Sequence, residues 1–341
     1  MKQLFLLALI FVTFQGFGQR LDGERVTYSY KQYPTEPIPE RYDTYQIYFV
    51  NHVPVPSNVE IKGLKQVENE LPEKDFFKIE LSVMPFTTKK YETKSVSKKV
   101  NGGRKTYYYA QEDFYKKVNY KIYGFVENPT GDVEDKYKKY QSGTITKTVR
   151  IKSKKYPNKQ TAQKQLRKIK TRKKRSFKKD LYNEYLSKQL TKKLTFTEEM
   201  KMLRFFKIKK FKRFDYSDFD EAQEIVLNAS KLLVEDKTAL DAFKKEVKPA
   251  IALWKKALTE SNLEKRKTRV NEKVTLIAYL NLARVHFMMQ EYEKAIEFAE
   301  KLTAIDKSFK GIRLLKELAE KNAEIKNNYL ATTSKPDYKK L

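Results

Sequence analysis

The sequence predicts a multidomain β + α protein, in which an N-terminal β-sandwich precedes an all-α C-terminal region of helical hairpins. Two observations indicate this class. Short segments rich in β-branched and aromatic residues recur from residue 19 to about residue 155, with turn signals between them. Apolar residues at helical spacing replace them after Gln160. A chain of 341 residues is long enough for two or three such domains.

The first 18 residues have the form of a secretory signal peptide. Lys2 precedes the apolar run Leu4–Val12, and the small residues Gly16 and Gly18 follow. A membrane-spanning helix needs about 20 apolar residues, so this run is too short to span a bilayer. We therefore expect cleavage before Gln19 and an exported protein, in the periplasm, on the periplasmic face of the outer membrane, or secreted.

Residues 19–155 are predicted to form the β-sandwich-like domain. Phe77–Val83 alternates apolar and polar residues, which is the period of a half-buried strand. Asn101-Gly102-Gly103 is predicted to be a hairpin turn, because glycine adopts positive φ without a steric penalty. Six to eight short strands separated by turns are typical of a sandwich.

Residues 156–213 are predicted to form a basic helical linker region. Between Lys147 and Lys179 the chain has 16 basic residues and no acidic one, within a formal net charge of +29. A second basic cluster, Lys207–Arg213, is expected in a loop. The residues expected to contact an anionic surface are, in two groups, Arg172, Lys173, Lys174 and Arg175, then Lys209, Lys210 and Arg213.

Three interpretations of these basic clusters remain open at the level of sequence. They are a solvated helix face, a surface that docks on anionic lipid, lipopolysaccharide or acidic polysaccharide, and a nucleic-acid-binding arm. Because an exported protein rarely meets nucleic acid, we do not expect nucleic acid as the partner.

Residues 214–330 are predicted to be helical, and residues 331–341 to form a flexible tail. Part of this region has a series of aromatic, apolar and small residues at Tyr279, Leu282, Ala283, His286, Tyr292 and Ala295. This series resembles the tetratricopeptide repeat, a helical hairpin of 34 residues. Ala299 stands where a larger aromatic is usual, and Lys307 replaces the closing proline. The resemblance implies a scaffold for protein–protein contacts, and it assigns repeat-packing positions to Tyr279, Leu282, Ala283, His286, Tyr292 and Ala295.

Motifs for catalysis, cofactors and metals are missing from the sequence. There is no cysteine, and the two histidines are His52 and His286. No nucleophile elbow, phosphate-binding loop or metalloprotease motif occurs. We therefore predict a non-enzymatic cell-envelope adaptor or scaffold, without catalytic residues, cofactor or metal. The alternatives are a carbohydrate-binding envelope protein and a hydrolase with an unrecognised site.

Overall fold

The computed structural model describes residues 21–39, 42–50, 59–67, 76–125, 137–208, 213–235 and 239–334. The predicted mixture of β-strands and α-helices is confirmed. The predicted signal peptide, residues 1–18, lies outside the described residues. The predicted tail, residues 331–341, begins inside a helix that continues to Thr333.

The chain forms two compact units by its internal contacts. The helical unit comprises the described parts of residues 1–32 and 198–327, and the sheet unit comprises those of residues 33–197 and 328–341. The predicted domain ranges, 19–155, 156–213 and 214–330, stay predictions.

The elements of the described chain follow one another in a simple order. The strands are β1 (Leu21–Gln32), β2 (Thr44–Phe49), β3 (Lys65–Gln66), β4 (Phe76–Val83), β5 (Thr87–Val100), β6 (Gly103–Phe125), β7 (Tyr137–Lys152) and β8 (Thr197–Ile208). The helices are α1 (Lys159–Asp180), a π-helical segment (Leu181–Leu186), α2 (Ser187–Leu194), α3 (Ser217–Glu235), α4 (Leu240–Glu246), α5 (Lys248–Thr259), α6 (Glu272–Met288), α7 (Tyr292–Ile305) and α8 (Lys310–Thr333).

The sheet unit contains a six-stranded sheet that curls like half of a barrel. Its strand order is β3-β2-β4-β6-β5, and β7 pairs with β6 along the opposite edge. β2 is parallel to β3 and β4, and the other pairs are antiparallel. Because β4 and β5 pair with successive parts of β6, residues 76–125 form one long hairpin that is interrupted at 84–86.

The predicted hairpin turn and the predicted strand alternation are both confirmed. Val100 pairs with Gly103 across the turn, where φ is 96° at Gly102 and 147° at Gly103. In β4, Phe77, Ile79 and Leu81 are buried, and the residues between them are half-buried. The alternation of apolar and polar residues therefore predicted correctly which side chains of β4 lie in the core.

The sheet packs against helices. Ala162 and Leu166 of α1 form one apolar cluster with Phe114 of β6. Leu190 and Leu194 of α2 join the larger cluster around β2, β4 and β6. The predicted β-sandwich is not confirmed, because alternation indicates that one face of a sheet is buried without indicating what buries it.

A two-stranded ribbon of β1 and β8 belongs to the helical unit. The Tyr30 hydroxyl donates to Glu199 at 3.0 Å, and Lys207 lies 4.0 Å from Glu24. Residue numbers therefore rise along β1 as they fall along β8, so the pair is antiparallel. The expected loop at Lys207 is wrong, since Lys207 and Ile208 end β8.

Side chains of the neighbouring helices bind the backbone of β8. Asn281 of α6 accepts from the Phe206 amide at 3.1 Å and donates to the Phe206 carbonyl at 2.7 Å. Gln223 of α3 donates to the Phe205 carbonyl at 2.7 Å, and Arg284 donates to the Arg204 carbonyl. These bonds add side-chain partners to the backbone of a strand that has only one strand neighbour in its sheet.

The described helices of the C-terminal half pack into one apolar core around Trp254, which is fully buried. A tight helix end separates α6 from α7: the Gln290 amide donates to Phe287 and the Glu291 amide to His286, which is the Schellman pattern. Gln290 has φ of 58°, the left-handed conformation that this ending requires.

Replacing Asn281 with alanine should destabilise the helical unit by roughly 2–4 kcal/mol, because the Phe206 amide and carbonyl both lose their partner. Asn322 is a matched control, since it is also buried and its side-chain nitrogen has no hydrogen-bond partner among the described residues. Asn322→Ala should cost less than about 1 kcal/mol. Denaturant unfolding measures both losses, and equal losses would contradict the role given to Asn281.

Candidate anionic-surface site

Helix α1 holds a dense set of like charges on the curled sheet. It contains no acidic residue before Asp180, and like charges four residues apart weaken an isolated helix by a few tenths of a kcal/mol per pair. Ala162 and Leu166 bury one side of the helix against the sheet. This packing stabilises a helix that its charges alone would not favour.

A charged pair reinforces the buried side of α1. Lys170 donates to Glu112 of β6, whose side chain is only 5% exposed, and the Thr88 hydroxyl donates to the same carboxylate at 2.7 Å. Glu112 lies on the core-facing side of β6, two residues before Phe114. Lys170 therefore neutralises a carboxylate that would otherwise be buried without a counter-charge.

A second lysine of α1 lies against an aromatic ring of the same unit. The Lys174 ammonium lies 5.3 Å from the centre of the Phe86 ring, and Lys116 of β6 lies 4.7 Å from the same ring. Phe86 occupies the interruption between β4 and β5. Lys170 and Lys174, one helical turn apart, thus both have partners within the sheet unit.

The opposite side of α1 is a continuous exposed basic surface, which we call the basic face. At 100° per residue its members lie within an arc of roughly 140° and span roughly 17 Å along the axis. All five are exposed, and none makes an ion pair with a described residue. The basic face consists of Lys164, Arg167, Lys168, Arg172 and Arg175.

The four basic residues that the sequence grouped together do not share one surface. Arg172 and Arg175 belong to the basic face, whereas Lys174 is half-buried beside Phe86. Lys173 is exposed but lies about 100° around the helix from Arg172. Consecutive side chains of a helix point in directions about 100° apart, so these four side chains cannot all lie on one surface.

The second predicted group is only partly described. Lys209 and Lys210 lie outside the described residues. Arg213 is exposed, in the helical unit, with its guanidinium 5.9 Å from the ring of Phe214.

Three members of the basic face were missed by sequence reasoning. Lys164, Arg167 and Lys168 precede the densest run of charge, and that run drew attention to residues 172–175. The signal was present as spacing, because positions 164, 168 and 172 are successive i, i+4 neighbours.

Comparison with known protein families, with curated proteins and with solved structures found no match for this chain. The argument about function therefore rests on the geometry of the chain itself. No group of histidine, aspartate and glutamate among the described residues could hold a metal ion. Nor is any described helix sufficiently long and apolar to cross a membrane.

The predicted repeat-packing residues lie in α6 and α7 of the helical unit. Leu282, Ala283, Tyr292 and Ala295 are buried, and Tyr279 is half-buried. Their burial accords with any close-packed helical hairpin, so the tetratricopeptide assignment stays a prediction.

His286, the sixth of these residues, is 3% exposed and hydrogen-bonds Glu291 through Nδ1 at 2.8 Å. Burial lowers the pKa of His286 below its ordinary value, against the opposing effect of Glu291. The ring is stacked on Phe298 with 5.3 Å between centres, so this histidine is part of the packing.

Replacing Lys170 with alanine should destabilise the sheet unit by roughly 2–4 kcal/mol, because Glu112 would remain buried without its counter-charge. Lys168→Ala, on the same helix, removes an exposed charge and should change stability by less than about 0.5 kcal/mol. Thermal or denaturant unfolding measures both. A Lys168 variant as destabilised as the Lys170 variant would contradict the division of α1 into an anchored side and an exposed side.

Proposed function

We propose that this chain is an exported, non-enzymatic scaffold of the cell envelope. The basic face docks on an anionic surface, such as a membrane leaflet with anionic lipid or lipopolysaccharide. The helical unit, whose α6–α7 hairpin we propose to be tetratricopeptide-like, binds a protein partner. Export is inferred from residues 1–18 alone.

The single observation that best supports this proposal is the exposure, on one side of one helix, of five cations that make no ion pair with a described residue. Each lysine or arginine near an anionic membrane contributes about 1 kcal/mol of attraction, so five give about 5 kcal/mol. That is enough for reversible association with a charged surface. The net charge of +29 adds long-range attraction of the same sign.

The anchoring of α1 supports docking over a merely solvated face. Lys170 and Lys174 have partners in the sheet unit, whereas the five residues of the basic face have none among the described residues. A helix that is held rigidly presents its charges without a further cost of ordering the backbone. The carbohydrate-binding and hydrolase alternatives stay predictions, with no described feature that favours either.

Reversing two charges of the basic face should weaken docking at least tenfold. The test is co-sedimentation with phosphatidylglycerol vesicles at low salt, using the Arg172→Glu/Arg175→Glu variant. A matched control is Lys245→Glu/Lys321→Glu, which changes the net charge equally at exposed helical-unit positions without ion pairs to described residues. Wild type and control should be retained and then released near ~0.5 M salt, where screening lengths fall to a few ångströms.

Parallel samples with lipopolysaccharide and with an acidic polysaccharide distinguish the sources of the anionic group. Equal weakening in the two variants would mean that total charge, and not the basic face, governs binding. Retention of the Arg172/Arg175 variant at the wild-type level, on all three materials, would overturn the proposed docking surface.

A further inference from the structure

A pocket with a volume of about 350 Å³ lies between three helices of the helical unit. Lys255 comes from α5, and Lys294, Glu297 and Lys301 come from one side of α7 at spacings of three and four residues. The size is at the small end of ordinary ligand pockets, which measure roughly 300–1,000 Å³. The pocket therefore suits a small group and not a folded surface.

The inner wall of this pocket is aromatic. Tyr279 of α6 and Phe298 of α7 line it, with 6.3 Å between ring centres. Phe298 is 7% exposed and is backed by the stacked ring of His286. The Lys301 ammonium lies 5.2 Å from the centre of the Phe298 ring, so that ring is largely covered. Tyr279, which is half-buried, offers the accessible aromatic surface of the pocket.

The mouth of the pocket is positively charged, and two of its three lysines form close ion pairs. Lys301 pairs with Glu297 at 2.5 Å, and Lys294 pairs with Glu291 at 3.0 Å. Lys255 is exposed and forms no ion pair with any residue that the structure describes. Three ammonium groups and one carboxylate line the pocket, so an anion that enters it meets a net positive charge.

We propose that this pocket binds a short acidic segment of a partner protein, with a carboxylate at Lys255 and a neighbouring aromatic or aliphatic side chain against Tyr279. The inference rests on the proposed scaffolding role of the helical unit and names the chemical class of its partner. It does not involve the basic face, which belongs to the other unit.

The combination of groups selects this chemistry. A carboxylate without an apolar neighbour would make no use of Tyr279, and an apolar peptide would bring no negative charge to the three lysines that line the pocket. A segment with both features satisfies the two requirements together. Stacking against a preformed aromatic wall also limits the ordering cost of the bound side chain.

The test is an array of short peptides, with blocked ends, in which acidic and apolar residues are permuted. Matched peptides replace each acid with its amide or each apolar residue with serine. The full-length protein should bind the acidic–apolar peptides and discriminate against both replacements. Fluorescence anisotropy on the best binder then compares Lys255→Glu with Lys256→Glu, an equal charge change at the adjacent exposed residue, which does not line the pocket.

We expect Lys255→Glu to weaken binding of that peptide at least tenfold, and Lys256→Glu to weaken it less than about threefold through the general field alone. Both residues are exposed, so the unfolding curves of both variants should match that of the wild type. Equal weakening by the two variants, equal binding of the amide peptides, or no binding by any acidic–apolar peptide would each overturn the inference.

Vesicle co-sedimentation on the same preparations separates this inference from the proposed docking function. Vesicle retention without peptide selectivity would overturn the pocket inference alone. Peptide selectivity without vesicle retention would overturn the docking surface alone.

Discussion

The anchoring of α1 on the curled sheet is the interaction on which the proposed docking surface depends. A helix with so many like charges would be marginal in isolation. Ala162 and Leu166 bury its apolar side, and Lys170 supplies the counter-charge for the buried Glu112. Burial of a charged pair costs desolvation, which the bonds from Lys170 and Thr88 offset. The consequence is a rigid helix that presents five cations on its outer side.

A second constraint shapes the helical unit. β1 pairs with β8 although most of the sheet unit, from residue 33 to residue 197, lies between them in sequence. Closing such a long loop is costly in entropy, so the ribbon must be stabilised by what surrounds it. Buried aromatic residues of β1 and the side-chain amides of Gln223 and Asn281 provide this stabilisation.

Local features were predictable from the sequence, and long-range ones were not. The turn at Gly102 and the alternation of β4 follow from glycine conformation and strand period, and both are confirmed. The pairing of β1 with β8 was not predicted, because the two strands are far apart in sequence and because the basic residues at the end of β8 were interpreted as a loop. The basic face of α1 was predicted only in part. Dense charge indicated residues 172–175, whereas the helical geometry places Lys174 beside Phe86 and adds Lys164 to the basic face. The pocket of the helical unit lies between three helices, and no local sequence pattern indicates which helices pack together.

Because the natural chain has no cysteine, single cysteines can be introduced one at a time along α1 and labelled with a spin probe. Electron paramagnetic resonance on the full-length protein then measures which positions lose mobility and oxygen or nickel accessibility when phosphatidylglycerol vesicles are added. The account predicts changes that repeat every ~3.6 residues and are greatest between the cations of the basic face, at positions such as 171. Changes without this period, or greatest on the side of Ala162 and Leu166, would contradict docking through the basic face.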